Sequence, residues 1–204
     1  MLVLGLDTST PAVSVALVDL AEGLLAERIV VDGRRHGEVL AVGIQAVLGC
    51  AGRRPGDLDA VVVGLGPGPF TGLRVGIVTA AALGDALALP VHGVCSLDGL
   101  AQPGRATLAV TDARRKEVYW AAYDESGARV DGPHVDAPDV ARAAAGGRAV
   151  VGEGAHLYAF EGVLDLPRAP SVAALVARAP LGQAPAPLVP LYLRRPDAKE
   201  PVPG

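Results

Sequence analysis

The sequence predicts an α/β protein made of two small similar lobes, each a mixed sheet flanked by helices. Three observations lead there. The run AVVVGL at 60–65 is apolar throughout, as in a strand buried on both faces, and lies between two helical stripes. A strand-rich order with a covering helix is read twice along the chain. Half of the 204 residues are hydrophobic but only seven are aromatic (two Phe, one Trp, four Tyr), so the apolar mass is Ala, Val and Leu. A chain of this length buries a core without disulfides or metal, as one domain or two intimate lobes.

The elements follow in order. Residues 2–7 (LVLGLD), 12–18 (AVSVALV) and 24–31 (LLAERIVV) read as strands with short polar connections, hence an antiparallel meander. From His36 to Gly49 the period changes: Leu40, Ile44, Val47 and Leu48 form a helical stripe closed by Gly49 and Gly52. After the buried strand comes a Gly/Pro loop, a helix from about Gly72 to Ala88 with Thr71 as expected N-cap, and a short strand at 91–95. Gln102-Pro103-Gly104 marks a boundary between lobes at 1–101 and 105–204. Beyond it come strands near 107–111, 117–123 and 129–135, a helix near 138–145, a strand at 148–152 and a weak helix at 171–178. The proline-rich tail is expected to lie extended over other parts.

Charge and composition exclude several functions. Eighteen basic against 22 acidic side chains leave a net charge of −4, without the basic surplus and stacking aromatics of a strong nucleic-acid binder. Cys50 and Cys95 are too few for a disulfide framework and not spaced as metal ligands. MLVLGLDTST lacks a basic n-region and no stretch holds 18 uncharged apolar residues, so a cytoplasmic protein without a membrane span is expected. The four histidines lack HxxxH or HExxH spacing, and there is no G-x-S-x-G motif.

GLGPGPFTGLR at 64–74 is the segment richest in information. It is no P-loop, since no Gly-Lys-Ser/Thr follows; it is either an anion site at a helix N-terminus or a rigid corner that aims the helix. In that helix Gly76, Ala80 and Gly84 recur every four residues, a smooth strip for close backbone approach. Both helices carry apolar residues on more than one side, including Val39, Val42, Ala46, Val75 and Val78, whereas a helix on a sheet needs one apolar face. A protein–protein interface is therefore expected on Leu40, Ile44 and Val47 with Leu73, Gly76, Ile77, Ala80, Leu83 and Gly84. Asp7, before Thr8-Ser9-Thr10, either holds a metal-bound nucleotide or accepts hydrogen bonds from its own turn. Asp112-Ala113-Arg114-Arg115-Lys116-Glu117 reads as a solvated turn, and Gly152-Glu153-Gly154 as a second glycine corner.

Together LVLGLDTSTPAVSVALVD, GPGPFTGLRVGIVTAAALGDAL, GVCSLDGLA, DARRKEVYWAAY and a late PLYLRR resemble the bacterial TsaB family, also called YeaZ. The resemblance runs from Met1 to about Tyr123 and returns at Pro190–Arg195. It implies the fold of the actin, sugar-kinase and heat-shock ATPase superfamily. It also implies a role in making N6-threonylcarbamoyladenosine in tRNAs that read codons starting with A. In that family the chain is a non-catalytic dimerisation subunit beside a TsaD-like catalytic subunit and a TsaE-like ATPase; the activated threonylcarbamoyl group comes from TsaC.

The catalytic relative carries Gly-Val-His-His-Met-Glu-Gly-His where this chain has Gly93-Val94-Cys95-Ser96-Leu97-Asp98-Gly99-Leu100, so its metal-binding histidines correspond to Ser96 and Leu100. No catalytic residue, metal or cofactor is expected. An exposed apolar patch predicts a homodimer through the same helices when the partner is absent, the lack of a basic patch leaves tRNA contact to the complex, and at most a vestigial nucleotide site is expected at Asp7, Thr8, Ser9 and Thr10. The alternative is an ATP-dependent phosphotransferase or ATPase of the same superfamily, with Asp7 at the metal-bound phosphates.

Overall fold

A computed structural model of the chain describes residues 1–32, 35–165 and 167–194; Arg195 and the tail to Gly204 lie outside the described residues. The first sheet has the order β3-β2-β1-β4-β5, from β1 (Leu2–Asp7), β2 (Ala12–Asp19), β3 (Gly23–Val31), β4 (Ala60–Gly64) and β5 (Val91–Val94). The first three strands form the antiparallel meander, and β4 and β5 join in parallel. The second sheet, β8-β7-β6-β9, repeats the pattern without a fifth strand, from β6 (Thr107–Arg114), β7 (Glu117–Tyr123), β8 (Arg129–Asp136) and β9 (Ala149–Val151).

Side-chain alternation builds one core on each face. Leu2, Leu4, Leu6, Val13, Val15, Leu17, Val61 and Val63 point to α1 (His36–Cys50) and α2 (Phe70–Leu87), which bury Leu40, Ile44, Val47, Leu48, Leu73, Ile77 and Ala80 against them. Val3, Ala16, Val18, Ala60 and Val62 point the other way, onto α5 (Val172–Arg178). Gly5 lets α5 come that close: a Cβ there would lie 2.2 Å from Val172 Cγ1. From beyond residues 102–104, α5 returns to cover the first sheet.

In the second lobe α3 (Pro138–Ala145) and α4 (Glu153–Leu157) cover one face, packing on Leu108, Val110, Val118 and Trp120. The opposite face, with Tyr119, Ala121 and Tyr123, packs on the 3-10 turn Ser96–Leu100 that leaves β5. Across that junction Tyr123 donates a hydrogen bond to Asp98 Oδ1 (2.8 Å).

The tail binds both lobes. Leu191 N–H donates to Leu65 O (2.8 Å), while Leu191 and Leu193 pack on the second core. Arg194 donates to Ala113 O (2.6 Å) and pairs with Glu117 (3.1 Å).

Thr71 is not the N-cap of α2. The helix starts two residues earlier, at Phe70, with Pro69 at the cap and no side-chain cap. One turn is costly: Arg114, Arg115 and Lys116, closing the β6–β7 hairpin, all have left-handed backbone with φ of 64°, 52° and 62°. Such a conformation costs an L-residue about 1–2 kcal/mol.

Candidate functional site

The two sheets meet around the carboxyl ends of β1, β4 and β6, where the sequence-predicted residues converge. Asp7, Thr8, Ser9 and Thr10 are all buried. Asp7 Oδ1 accepts from Ser9 N–H (2.9 Å) and from the Ser9 hydroxyl (2.7 Å), which closes the turn. Asp7 Oδ2 has no hydrogen bond of good geometry; it faces Gly64, where a Cβ would lie 1.9 Å away, and the Ser96 hydroxyl beside it. Burial raises the Asp7 pKa above the ordinary carboxylate value, and the nearby Ser96 and Ser9 hydroxyls only partly offset that.

Thr8 turns the opposite way, into α2. Its hydroxyl donates to Gly72 O (2.7 Å) and accepts from Gly76 N–H (3.1 Å), so it lies across one i, i+4 pair of the helix. This explains the glycines. A Cβ at Gly72 would meet Thr8 O at 2.7 Å, and one at Gly76 would meet Thr8 Oγ1 at 2.5 Å. Gly68 packs on the Ser9 backbone in the same manner, at 2.2 Å from Ser9 O. The Gly/Pro loop and the Thr8–Thr10 turn thus lock together and consume each other's polar groups, the rigid-corner arrangement.

Around the corner the groups are equally committed. Ser96 Oγ accepts from Gly66 N–H (3.0 Å), and Leu100 has no exposed surface. Burial pushes the Cys95 thiol up to about 12, so it carries no thiolate near neutrality. From the second lobe Glu153 enters at the start of α4; burial, with repulsion from Asp112 and Asp7, pushes it up to about 7. Asp112 accepts from the Tyr158 hydroxyl (3.0 Å). Among the described residues no group of three His, Cys, Asp or Glu side chains could hold a metal ion.

The helix positions expected to face a partner point inward instead. Leu40, Ile44, Val47, Leu73, Gly76, Ile77, Ala80 and Gly84 are buried against the chain's own sheet, with Gly84 seated on Val91, and Leu83 is half-buried. The physical reason is direct: the side with the strongest apolar stripe is the side the sheet takes. What remains outside is a second apolar face, with Val42 54% and Val78 63% exposed between alanines 41, 81 and 82. α2 has the length and composition of a membrane-crossing helix, yet it lies on the sheet with one third of its residues buried.

Phe70 at the head of α2 stacks on Tyr192 of the tail (5.1 Å between centroids), with Arg74 over the Phe70 ring. Nothing in the local pattern at 190–195 points to that contact.

The two mixed sheets, each a meander extended by a parallel strand and flanked by helices, define a two-lobed α/β class of fold, and two solved structures share it. A Pseudomonas aeruginosa protein described as similar to peptidase YEAZ superposes with a TM-score of 0.75 at 32% identity, covering 95% of this chain and 99% of that one. YeaZ from the same organism gives 0.68 at 27% identity, covering 87% and 90%.

In sequence, the profile of the family described as TsaD, tRNA N6-adenosine threonylcarbamoyltransferase, matches residues 26–176. An uncharacterised protein of Mycobacterium tuberculosis H37Rv is 53% identical over 202 residues, 97% of this chain and 93% of its own length. The tRNA threonylcarbamoyladenosine biosynthesis protein TsaB of Escherichia coli K12 is 38% identical over 135 residues, 62% of this chain and 58% of that one. The chain belongs to the TsaB (YeaZ) family.

Proposed function

We propose that this chain is a non-catalytic subunit in the formation of N6-threonylcarbamoyladenosine in tRNA, and that it docks a TsaD-like catalytic subunit on the outer face of α1 and α2. One observation carries the proposal. At the positions corresponding to the catalytic relative's histidine ligands, the Ser96 hydroxyl already serves Gly66 N–H and Leu100 is an alkyl chain sealed in the core. Neither is a ligand for a transition metal. The Thr8–Thr10 turn, where a relative of this fold would grip phosphates, spends its hydroxyls on Asp7, Ala12, Gly72 and Gly76.

The docking face is supported by its surplus. Two neighbouring helices expose Val42 and Val78 on a surface that the fold itself leaves uncovered, and exposed apolar side chains on adjacent helices suit a partner's apolar face. When the partner is absent the same face pairs two copies of the chain, since an isologous contact matches the patch to itself. A TsaE-like ATPase joins this assembly, and RNA is reached through the complex.

The test is sedimentation of the purified chain with a TsaD-like partner, followed by threonylcarbamoylation of a tRNA by the complete set of enzymes. The wild type forms a stoichiometric complex and raises the rate over the partner alone. Val42→Asp combined with Val78→Asp abolishes the complex but keeps the circular-dichroism spectrum. Pairing by that variant would move the interface elsewhere, and transfer by this chain unaided would end the non-catalytic assignment.

A further inference from the structure

We propose that the β6–β7 turn, Arg114-Arg115-Lys116, is a phosphate-contact surface for RNA. The proposal rests on the reading above that the chain serves a tRNA-modifying assembly. The turn is a two-residue hairpin loop with positive φ at both positions, a conformation that Asn-Gly adopts at little cost. Here it is occupied by Arg115 and Lys116, and Arg114 before them is left-handed as well. Backbone strain of this kind is retained where the side chains it presents have a use. All three side chains are exposed at the tip of the hairpin.

The surroundings favour an anion. Two acids lie at the base of the turn: Asp112 accepts from Arg114 N–H (2.9 Å) and the Tyr158 hydroxyl and pairs with the Arg114 guanidinium (3.5 Å), which partly neutralises it, and Glu117 pairs with Arg194 (3.1 Å). Arg114 also lines a cavity of 210 Å³ shared with His36, Thr71 and Gly72, and no carboxylate lines it. The cavity opens beside the N-terminal turns of α1 and α2, neither of which has a side-chain cap, so the partial positive charge of both helices falls on the same side as the hairpin tip.

With a net charge of −4 the whole chain repels polyanions, and a local cationic strip is the form in which it can meet one. The strip has three cations and no base-reading aromatic of its own. It therefore contacts phosphate and sugar, which positions an RNA without selecting its sequence.

The experiment uses Arg115→Asn combined with Lys116→Gly in the assembled complex, with an unmodified tRNA transcript as probe. This variant removes two charges and relieves the turn. Thermal denaturation of the isolated chain should therefore move upward while partner binding stays unchanged. The tRNA dissociation constant of the complex should rise several-fold, and the slope of log affinity against log salt should fall by about 1–2. The loss should be the same for every tRNA tested. Unchanged affinity and unchanged salt slope in a complex that still modifies tRNA would overturn the proposal and leave the assigned function standing. A wild-type complex that fails to form or to modify tRNA would instead sink that function.

Discussion

Thr8 and Gly76 form one hydrogen-bonded joint: the Thr8 hydroxyl, from the turn after β1, accepts Gly76 N–H at 3.1 Å in the second turn of α2 and donates to Gly72 O at 2.7 Å. The joint fixes where α2 crosses the sheet. Thr8→Val keeps the shape but removes the hydroxyl, and should cost about 1–2 kcal/mol, the usual value for a buried hydrogen bond. Gly76→Ala forces a methyl to within 2.5 Å of that oxygen and should cost about 1–3 kcal/mol through overpacking. Urea denaturation followed by circular dichroism measures both. If Gly76→Ala is neutral, the glycine is not there for Thr8.

Arg194 makes a similar joint between the tail and the second lobe. Its guanidinium donates to Ala113 O at 2.6 Å and pairs with Glu117 at 3.1 Å, with 22% of the side chain exposed. Arg194→Ala should lower stability by about 1–2 kcal/mol, mostly from the unmet carbonyl. The single tryptophan, Trp120, is buried on the adjoining strand β7 and donates to Asp136 Oδ2 (2.9 Å), so its fluorescence reports the loss. An unchanged unfolding curve would show that the tail is an ornament on the lobe.

Helix and strand positions were legible because each carries its own period. The short apolar runs of β1 and β2, buried on both faces, and the stripe at Leu40, Ile44 and Val47 can be read without knowing the tertiary context. Which side of a helix meets its own sheet was not legible. A stripe of apolar residues at 73, 76, 77, 80 and 84 looks the same whether a sheet or a partner covers it, and the glycine spacing signals close approach without naming what approaches. Gly76 meets Thr8, and Gly84 meets Val91, both from distant segments. The return of α5 onto Gly5 was hidden for the same reason, as was the placing of Ser96 beside Asp7 at Gly64. The Asp7 turn itself was readable, because Asp7 and Ser9 are two residues apart and such local hydrogen bonds follow from residue type.

Glu153 destabilises the folded chain at neutral pH. Its folded pKa of about 7 lies above the ordinary 4.5, so between those values the folded state holds a proton that the unfolded state has released. Stability therefore falls as pH rises through that window, and the deficit is complete above pH 7. Glu153→Gln should raise stability at pH 8 by up to about 3 kcal/mol and leave it nearly unchanged at pH 4, since one pKa unit corresponds to about 1.4 kcal/mol. Equal effects at both pH values would mean that the carboxyl is solvated in the folded protein.

His92 opposes this trend over part of the same range. It lies on β5 with 2% of its surface exposed, and among the described residues neither ring nitrogen has a hydrogen-bond partner. Burial lowers its pKa below the ordinary 6.5, so the unfolded state binds a proton first as the solution is acidified. Stability is then present above pH 6.5 and is lost as pH falls through the folded value, the reverse of the Glu153 contribution. Both contributions enter the wild-type profile between pH 5 and 7, together with that of buried Asp7, whose raised pKa acts in the same direction as Glu153. Glu153→Gln should expose a curve that declines on acidification, whereas His92→Leu should expose one that rises. Chemical denaturation at half-unit pH steps separates these cases, and a single His92→Leu variant with the wild-type profile would show that water reaches the ring.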